Sequence, residues 1–149
     1  MSISPEEAAL DIMEIVPMVM RVLRTEMRRH RQPGLSVPQF RTLAFLKGRP
    51  GAALNSLSEH LGLTPASTSK LVDGLVERNL LERRESAEDR RRIELSLTSQ
   101  GFSVWEDAFQ HAQASLARRL ACLGEAEREA LQSSMRILRP LFEEAESIA

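Results

Sequence analysis

Residues 54–101 run LNSLSEHLGLTPASTSKLVDGLVERNLLERRESAEDRRRIELSLTSQG, an unbroken series of helix, turn, helix and hairpin signals. Leu54, Leu57 and Leu61 share one face of a short helix, with Asn55 or Ser56 able to cap it. Gly62 supplies the positive φ of a tight turn, and Leu63 is expected to plug the gap between two helices. Thr64-Pro65 then opens a second helix, a capping hydroxyl followed by proline at the first helical position. Leu71, Val72 and Leu75 fall on its inward side. Leu80–Arg84 reads as a short strand, and Ile93–Leu97 alternates apolar and polar with period two. Glu85–Arg92 joins them as the tip of a hairpin. A helix pair followed at once by an arginine-rich hairpin is the order a winged helix-turn-helix requires.

The chemistry of that order is recognition of duplex DNA. Ala66, Ser67, Ser69 and Lys70 lie at the N-terminal end of the second helix, away from its apolar side. Small side chains there allow close approach to a groove, and the free N–H groups and positive dipole end favour phosphate. Lys70 can reach a guanine edge or a phosphate, and the serines can contact base or backbone. The bland alternative is a helical hairpin with a polar surface. The wing shifts the balance, because Arg90, Arg91 and Arg92 on a narrow ribbon suit a minor groove, where negative potential is focused. Asp89 beside them can hydrogen-bond a guanidinium and set its direction.

Charge is distributed in the same sense. The 149 residues carry a net charge of −1, but residues 1–40 balance to 0, residues 41–92 carry +3 and residues 93–149 carry −4. Arg83, Arg84, Arg90, Arg91 and Arg92 all fall within the basic block. A basic middle with an acidic tail suits a protein presenting one face to phosphate. The competing view is a solvated turn whose arginines are offset by Glu82, Glu85, Glu88 and Asp89.

At 42% hydrophobic the chain can bury one ordinary core, and a single domain is expected. No apolar run reaches the ~18 residues a membrane span needs. The acidic start MSISPEEAALD is unlike a secretory leader, so the expected location is the cytoplasm. Cys122 is the sole cysteine and is expected to pack as a small hydrophobe.

Outside the winged segment, Ser4-Pro5-Glu6-Glu7 starts a long helix running to about His30. Its apolar residues form two stripes, Met13, Val16, Met20, Leu23, Met27 and Ile12, Ile15, Val19, Val22. A face that wide is expected to pack inward on one side and against a second subunit on the other. Pro17 inside it predicts a kink. Arg31–Gly34 breaks the helix, and Ser36-Val37-Pro38 begins another with Phe40, Leu43, Ala44 and Leu46 apolar. Lys47–Gly51 reads as a loop. Thr98 caps a helix bearing Phe102, Trp105, Phe109, Ala112, Leu116 and Leu120. Gly124 precedes a last helix from about Glu125 to Ser147, with Leu131, Leu138, Leu141 and Phe142 apolar and Pro140 late within it.

The segment LGLTPASTSKLVDGLVERNLLERRESAEDRRRIELSLTSQG resembles the signature of the MarR family of bacterial winged helix-turn-helix transcription regulators. The matching positions are Leu71 to Leu75, Leu80 to Arg83, Asp89 to Arg91 and Ser96 to Gly101. The resemblance implies a mainly α fold with a small β-hairpin, its winged core at 36–97. The long helical regions 1–34 and 98–149 would form an intertwined homodimer. Carried over by position, Thr64, Pro65, Ala66, Ser67, Ser69 and Lys70 become the major-groove helix, and Asp89, Arg90 and Arg91 the wing contact, with Asp89 orienting Arg91. It also implies a repressor bound to a pseudo-palindromic operator and relieved by an effector, often a small aromatic or phenolic acid. Such a ligand would sit near the first helix, the Phe40–Leu46 helix and the helix after Thr98. Met13, Met20, Met27, Phe40, Phe45 and His30 are candidates there, although such a stripe is more often plain core, and no pocket residue is assigned.

Two positions depart from the family pattern. Asn79 stands where Gly is usual, and Asn is the next best residue for a left-handed backbone. Gly74 stands where a longer, often basic residue is common, which costs about 1 kcal/mol relative to Ala and removes a phosphate contact. No catalytic motif orders the available Ser, His and Asp, so an enzyme is not expected. His30, His60 and His111 lie far apart in sequence, so neither a metal site nor a cofactor is expected. The rival function is a winged-helix protein–protein module without specific DNA binding.

Overall fold

The computed structural model describes residues 2–143. Two compact units divide the chain, meeting in sequence after Ala112. The first contains helix α1 (Pro5–His30), α2 (Val37–Gly48), strand β1 (Ala52–Ala53), α3 (Leu54–Leu61), α4 (Pro65–Glu77), β2 (Leu81–Glu85) and β3 (Ile93–Leu97). Helix α5 (Ser99–Leu120) begins in it, and α6 (Glu125–Glu143) belongs to the second unit. The mainly helical class with a small sheet is the one the sequence implies.

Caps explain where the first helices start. Ser4 accepts from the Glu7 amide, and the Glu7 carboxylate accepts from the Ser4 amide, a reciprocal box with Pro5 just inside. Ser36 and Gln39 repeat the device at the start of α2. Helix α1 runs without interruption through Pro17, and none of its residues is buried. Only Met27 of the expected stripes packs against the core, while Met13 is 70% exposed and Val16 47%. In α2, Phe40, Leu43 and Leu46 are buried as expected, but Ala44 is exposed and Phe45 and Thr42 are buried instead. The helix also continues through Gly48, shortening the expected loop.

The helix pair is built as read, with two corrections. Neither Asn55 nor Ser56 caps α3: Ala53 occupies that position without a side-chain bond, because β1 runs directly into the helix. Leu63 does not plug the helix gap and is 37% exposed. Gly62 does take the left-handed conformation (φ 68°), and Leu57 and Leu61 are buried. Thr64 caps α4 by accepting from the Ser67 amide at 3.2 Å. Val72 and Leu75 are fully buried, with Leu71 packed alongside.

The end of α4 sets up everything after it. Asn79 adopts φ 58°, the left-handed value expected of its asparagine side chain. The Leu80 amide donates back to the Leu75 carbonyl and the Asn79 amide to the Val76 carbonyl, both at 2.9 Å. These are the two bonds of a Schellman ending, and Leu75 and Leu80 supply its buried apolar contact. Strand β3 lies between β1 and β2, pairing Ala52 with Leu95 and Leu81 with Leu97. Strand β2 begins one residue later than read, because Leu80 is occupied in the helix ending.

Strand β3 is locked to that ending by Thr98 and Gly101. The Thr98 hydroxyl donates to the Asn79 carbonyl at 2.6 Å and accepts from the Gly101 amide at 3.0 Å. The Thr98 amide donates to the Leu80 carbonyl at 3.2 Å. A Cβ on Gly101 would fall 2.0 Å from that same Leu80 oxygen. The first turn of α5 therefore rests on backbone, and only glycine fits.

Farther along α5 in this unit, Trp105, Ala108 and Ala112 are buried. Phe102 and Phe109, expected on the same apolar side, are 45% and 44% exposed. They flank Trp105, whose ring stacks on Phe109 with centroids 4.7 Å apart and lies 4.4 Å from the Lys47 ammonium. In the second unit, the Gly124 amide donates to Glu127 at the start of α6, and Ile137, Leu141 and Phe142 are all more than half exposed. The expected extension to Ser147 lies outside the described residues. Cys122 is exposed rather than packed, its thiol donating to the Arg119 carbonyl at the end of α5.

Gly101→Ala is expected to destabilise the fold by about 3 kcal/mol or more, since backbone cannot yield as a side chain can. Thr98→Val should cost roughly 1–3 kcal/mol by leaving the Asn79 carbonyl and Gly101 amide unpaired. Urea unfolding at matched protein concentration measures both, and a wild-type midpoint for Gly101→Ala would refute the close approach.

Candidate nucleic-acid interface

Helix α4 offers its N-terminal end to solvent. Thr64, Pro65, Ala66, Ser67 and Lys70 are exposed and Ser69 is half-buried, while Thr68 between them is fully buried. Thr68 donates to the Thr64 carbonyl at 2.9 Å and so turns its hydroxyl inward. Ser67 points outward, its hydroxyl oxygen accepting from Thr64 at 3.0 Å, which leaves its own hydrogen to donate elsewhere. Part of Thr64's role is therefore structural, as the cap.

The wing tip is ordered by its own side chains. The Ser86 amide donates to the Arg92 carbonyl at 2.9 Å, closing the loop just beyond the Glu85–Ile93 pair. Asp89 accepts from the Arg91 amide at 2.9 Å. In the protein alone, this bond fixes the Arg91 backbone in an Asx-type turn. Arg90, Arg91 and Arg92 are exposed.

Charge pairing separates the basic residues into two groups. Arg83 pairs with Asp73 of α4, and Arg84 pairs with Glu82 at 2.9 Å along its own strand. Among the described residues, no ion pair engages Lys70, Arg90, Arg91 or Arg92. Arg83 and Arg84, at the wing's base, are thus ion-paired, whereas Arg90, Arg91 and Arg92 at its tip are not, although Glu85, Glu88 and Asp89 share the hairpin. Sequence reasoning missed the Arg83–Asp73 pair, which joins residues ten apart on different elements.

Gly74 lies on the side of α4 next to Gln39 of α2. A Cβ there would lie 3.3 Å from the Gln39 side chain, the residue that boxes the start of α2. Its small size is matched to packing between the two helices. Arg78, from the end of α4, donates to the Gly34 carbonyl at 3.0 Å and to Gln32 at 3.2 Å, tying α4 to the turn before α2.

A crevice of about 540 Å³ opens between α1 and α2. Met20, Met27, Val37, Phe40 and Ala44 form its apolar lining, with Arg24, Arg28, Arg31 and Arg41 around them and no carboxylate. One terminal nitrogen of Arg31 is buried without a hydrogen-bond partner. Of the candidate ligand residues, Met20, Met27 and Phe40 line this crevice. Met13 is exposed, Phe45 meets His60 in a tilted ring contact, and His30 stacks on His111 with centroids 4.0 Å apart. The four arginines were not singled out in sequence, because they fall between the apolar stripes of α1 and α2. No group of three or more potential metal ligands occurs among the described residues, and no helix there is long and apolar enough to cross a membrane.

Comparison with known proteins agrees with this geometry. Residues 34–92 match the model of the MarR family. The HTH-type transcriptional repressor MdtR of Bacillus subtilis is 32% identical over 94 residues, covering 63% of this chain and 61% of MdtR. The chain therefore spans less than two thirds of that relative's length. The RV1404 crystal structure from Mycobacterium tuberculosis is 25% identical, covers 97% of each chain and superposes with a TM-score of 0.70. The transcriptional regulator Tm0710 of Thermotoga maritima, 24% identical over 96% of this chain and 97% of its own, shares the fold with a TM-score of 0.73. The winged core, residues 34–92, is thus similar to the MarR family, and nearly the whole chain shares the fold of these two structures.

Proposed function

We propose that the protein is a sequence-specific, double-stranded DNA-binding transcription regulator. In this reading it is a cytoplasmic repressor that sits as a homodimer on a pseudo-palindromic operator. One observation carries it: the exposed end of α4 and a wing tip bearing Arg90, Arg91 and Arg92, none of them ion-paired among the described residues. The end of α4 supplies Thr64, Pro65, Ala66, Ser67, Ser69 and Lys70 to the major groove. Asp89 holds the tip so that Arg90 and Arg91 project into the flanking minor groove.

Dimerisation is supported by apolar surface that a monomer would leave in water. Met13, Ile15, Val16 and Met18 of α1 are each close to half exposed or more, and so are Ile137, Leu141 and Phe142 of α6. Two copies would place their α4 helices about one DNA turn apart, roughly 34 Å, on one side of the duplex. Bound across a promoter, such a dimer would exclude polymerase.

The α1–α2 crevice supports relief by an effector of one chemical kind. An apolar floor ringed by four guanidinium groups, one with an unsatisfied buried nitrogen, suits a small organic anion such as an aromatic carboxylate. Occupancy would draw the arginines of α1 and α2 together and shift the reading heads.

Selection from random duplex DNA, followed by anisotropy titration, tests the main reading. A palindrome should emerge, and its affinity should fall on the order of a thousandfold between 50 and 200 mM salt. Arg91→Ala should weaken it at least about tenfold, ~1–3 kcal/mol. Binding that ignores salt and Arg91 would favour a protein–protein module. Benzoate should weaken operator binding about fivefold or more while benzamide does not, and Arg31→Ala should abolish the difference. Equal effects of the acid and the amide would remove the anion-binding role.

A further inference from the structure

Helix α4 and the wing are separate elements, yet one side chain joins them. Arg83 lies in the middle of β2, opposite Leu95 of β3. Its guanidinium pairs with the Asp73 carboxylate and donates to the Ser69 carbonyl at 3.3 Å. Ser69 and Asp73 are one helical turn apart, so a single group grips two successive turns of α4. Ser69 and the adjacent Lys70 belong to the surface proposed above to enter the major groove. The grip therefore lies between the two sets of proposed DNA contacts.

Geometry gives this position leverage. Buried Leu81, below Arg83, and Leu95, opposite it, anchor the ribbon in the core. Strand β1 flanks the ribbon as far as Glu94, opposite Arg84, and beyond that only two strands continue, through the Glu85–Ile93 pair to the tip. A two-stranded ribbon is weak by itself and flexes readily. A tether at the root of this two-stranded part limits the swing of the tip relative to α4, and a small angle lost there would become a displacement of ångströms at Arg91.

Resting on the DNA-binding reading above, we infer that Arg83 and Asp73 are positioning residues. Their pair fixes the reach of the wing, and with it the number of base pairs separating the major-groove contact from the flanking minor-groove contact. Pre-organisation of this kind makes binding selective for spacing, because a rigid pair of readers cannot adapt to a longer or shorter step. The competing role for Arg83 is a direct phosphate contact that Asp73 merely neutralises in the unbound protein.

The test uses the selected operator and versions with one base pair inserted or removed between the core half-site and its flank. Wild type should prefer the native spacing by at least about tenfold. Asp73→Ala and Arg83→Ala change charge in opposite directions, so a simple electrostatic role would strengthen DNA binding in one and weaken it in the other. A positioning role instead lowers the spacing preference below about threefold in both, with no further loss in the double variant. Unchanged preference in the variants, or none in wild type, would overturn the inference.

Hydrogen exchange in the free protein provides an arm that does not need DNA. The Ser86 and Arg92 amides should exchange about tenfold faster in both variants, and unaltered exchange would refute the tether. If wild type bound no duplex while these amides responded, the DNA-binding reading would fail and the mechanical tie would stand.

Discussion

The backbone carbonyl of Leu80 is the point on which the winged core depends. It accepts the Thr98 amide at the end of β3, and α5 begins so close to it that residue 101 must be glycine. Leu80 itself closes the ending of α4 through its amide. One residue thus fixes where a helix stops, where β2 starts, where β3 ends and where the next helix departs. Because all of these contacts involve backbone, they cannot be exchanged for an equivalent side-chain arrangement. The Leu80–Arg83 and Ser96–Gly101 stretches of the resemblance meet at this junction.

A protein of net charge −1 can still present a positive face to DNA if its acids and bases are sorted locally. Here the sorting follows the hairpin. At its base Arg83 and Arg84 are matched by Asp73 and Glu82, which serves packing and alignment. At its tip the acid Asp89 engages backbone, and the neighbouring guanidinium groups remain outward. Surface ion pairs of this kind contribute little to stability, typically under about 1 kcal/mol each. Their value in the proposed reading is directional: they decide which cations remain to meet phosphate and where those cations stand.

Local chemistry was legible in the sequence. Thr64-Pro65, Gly62, the Ser4 and Ser36 starts and Asn79 all declare themselves within a few residues, because capping and left-handed backbone depend on short-range hydrogen bonds. Interactions set by tertiary distance were not. Leu63, Ala44, Phe102 and Phe109 have the right spacing for burial, but periodicity identifies a face without saying whether anything covers it. Strand β1 is two alanines, too short to show alternation. Cys122 was misjudged for a related reason, since its residue type favours burial and its place just beyond a helix end does not. Within the candidate interface, the α4 residues were legible from cap and composition. The Arg83 grip on α4 was hidden, because it depends on how a strand crosses a helix.

In the proposed reading, α4 and the wing engage adjacent grooves of one duplex, once per subunit of a dimer. Hydroxyl-radical footprinting on a selected operator measures this most directly. Two protected windows separated by about one helical turn, each flanked by a protected minor-groove segment that Arg91→Ala alone erases, are the predicted result. A single window, uniform protection along the fragment, or flanks that persist without Arg91 would contradict it.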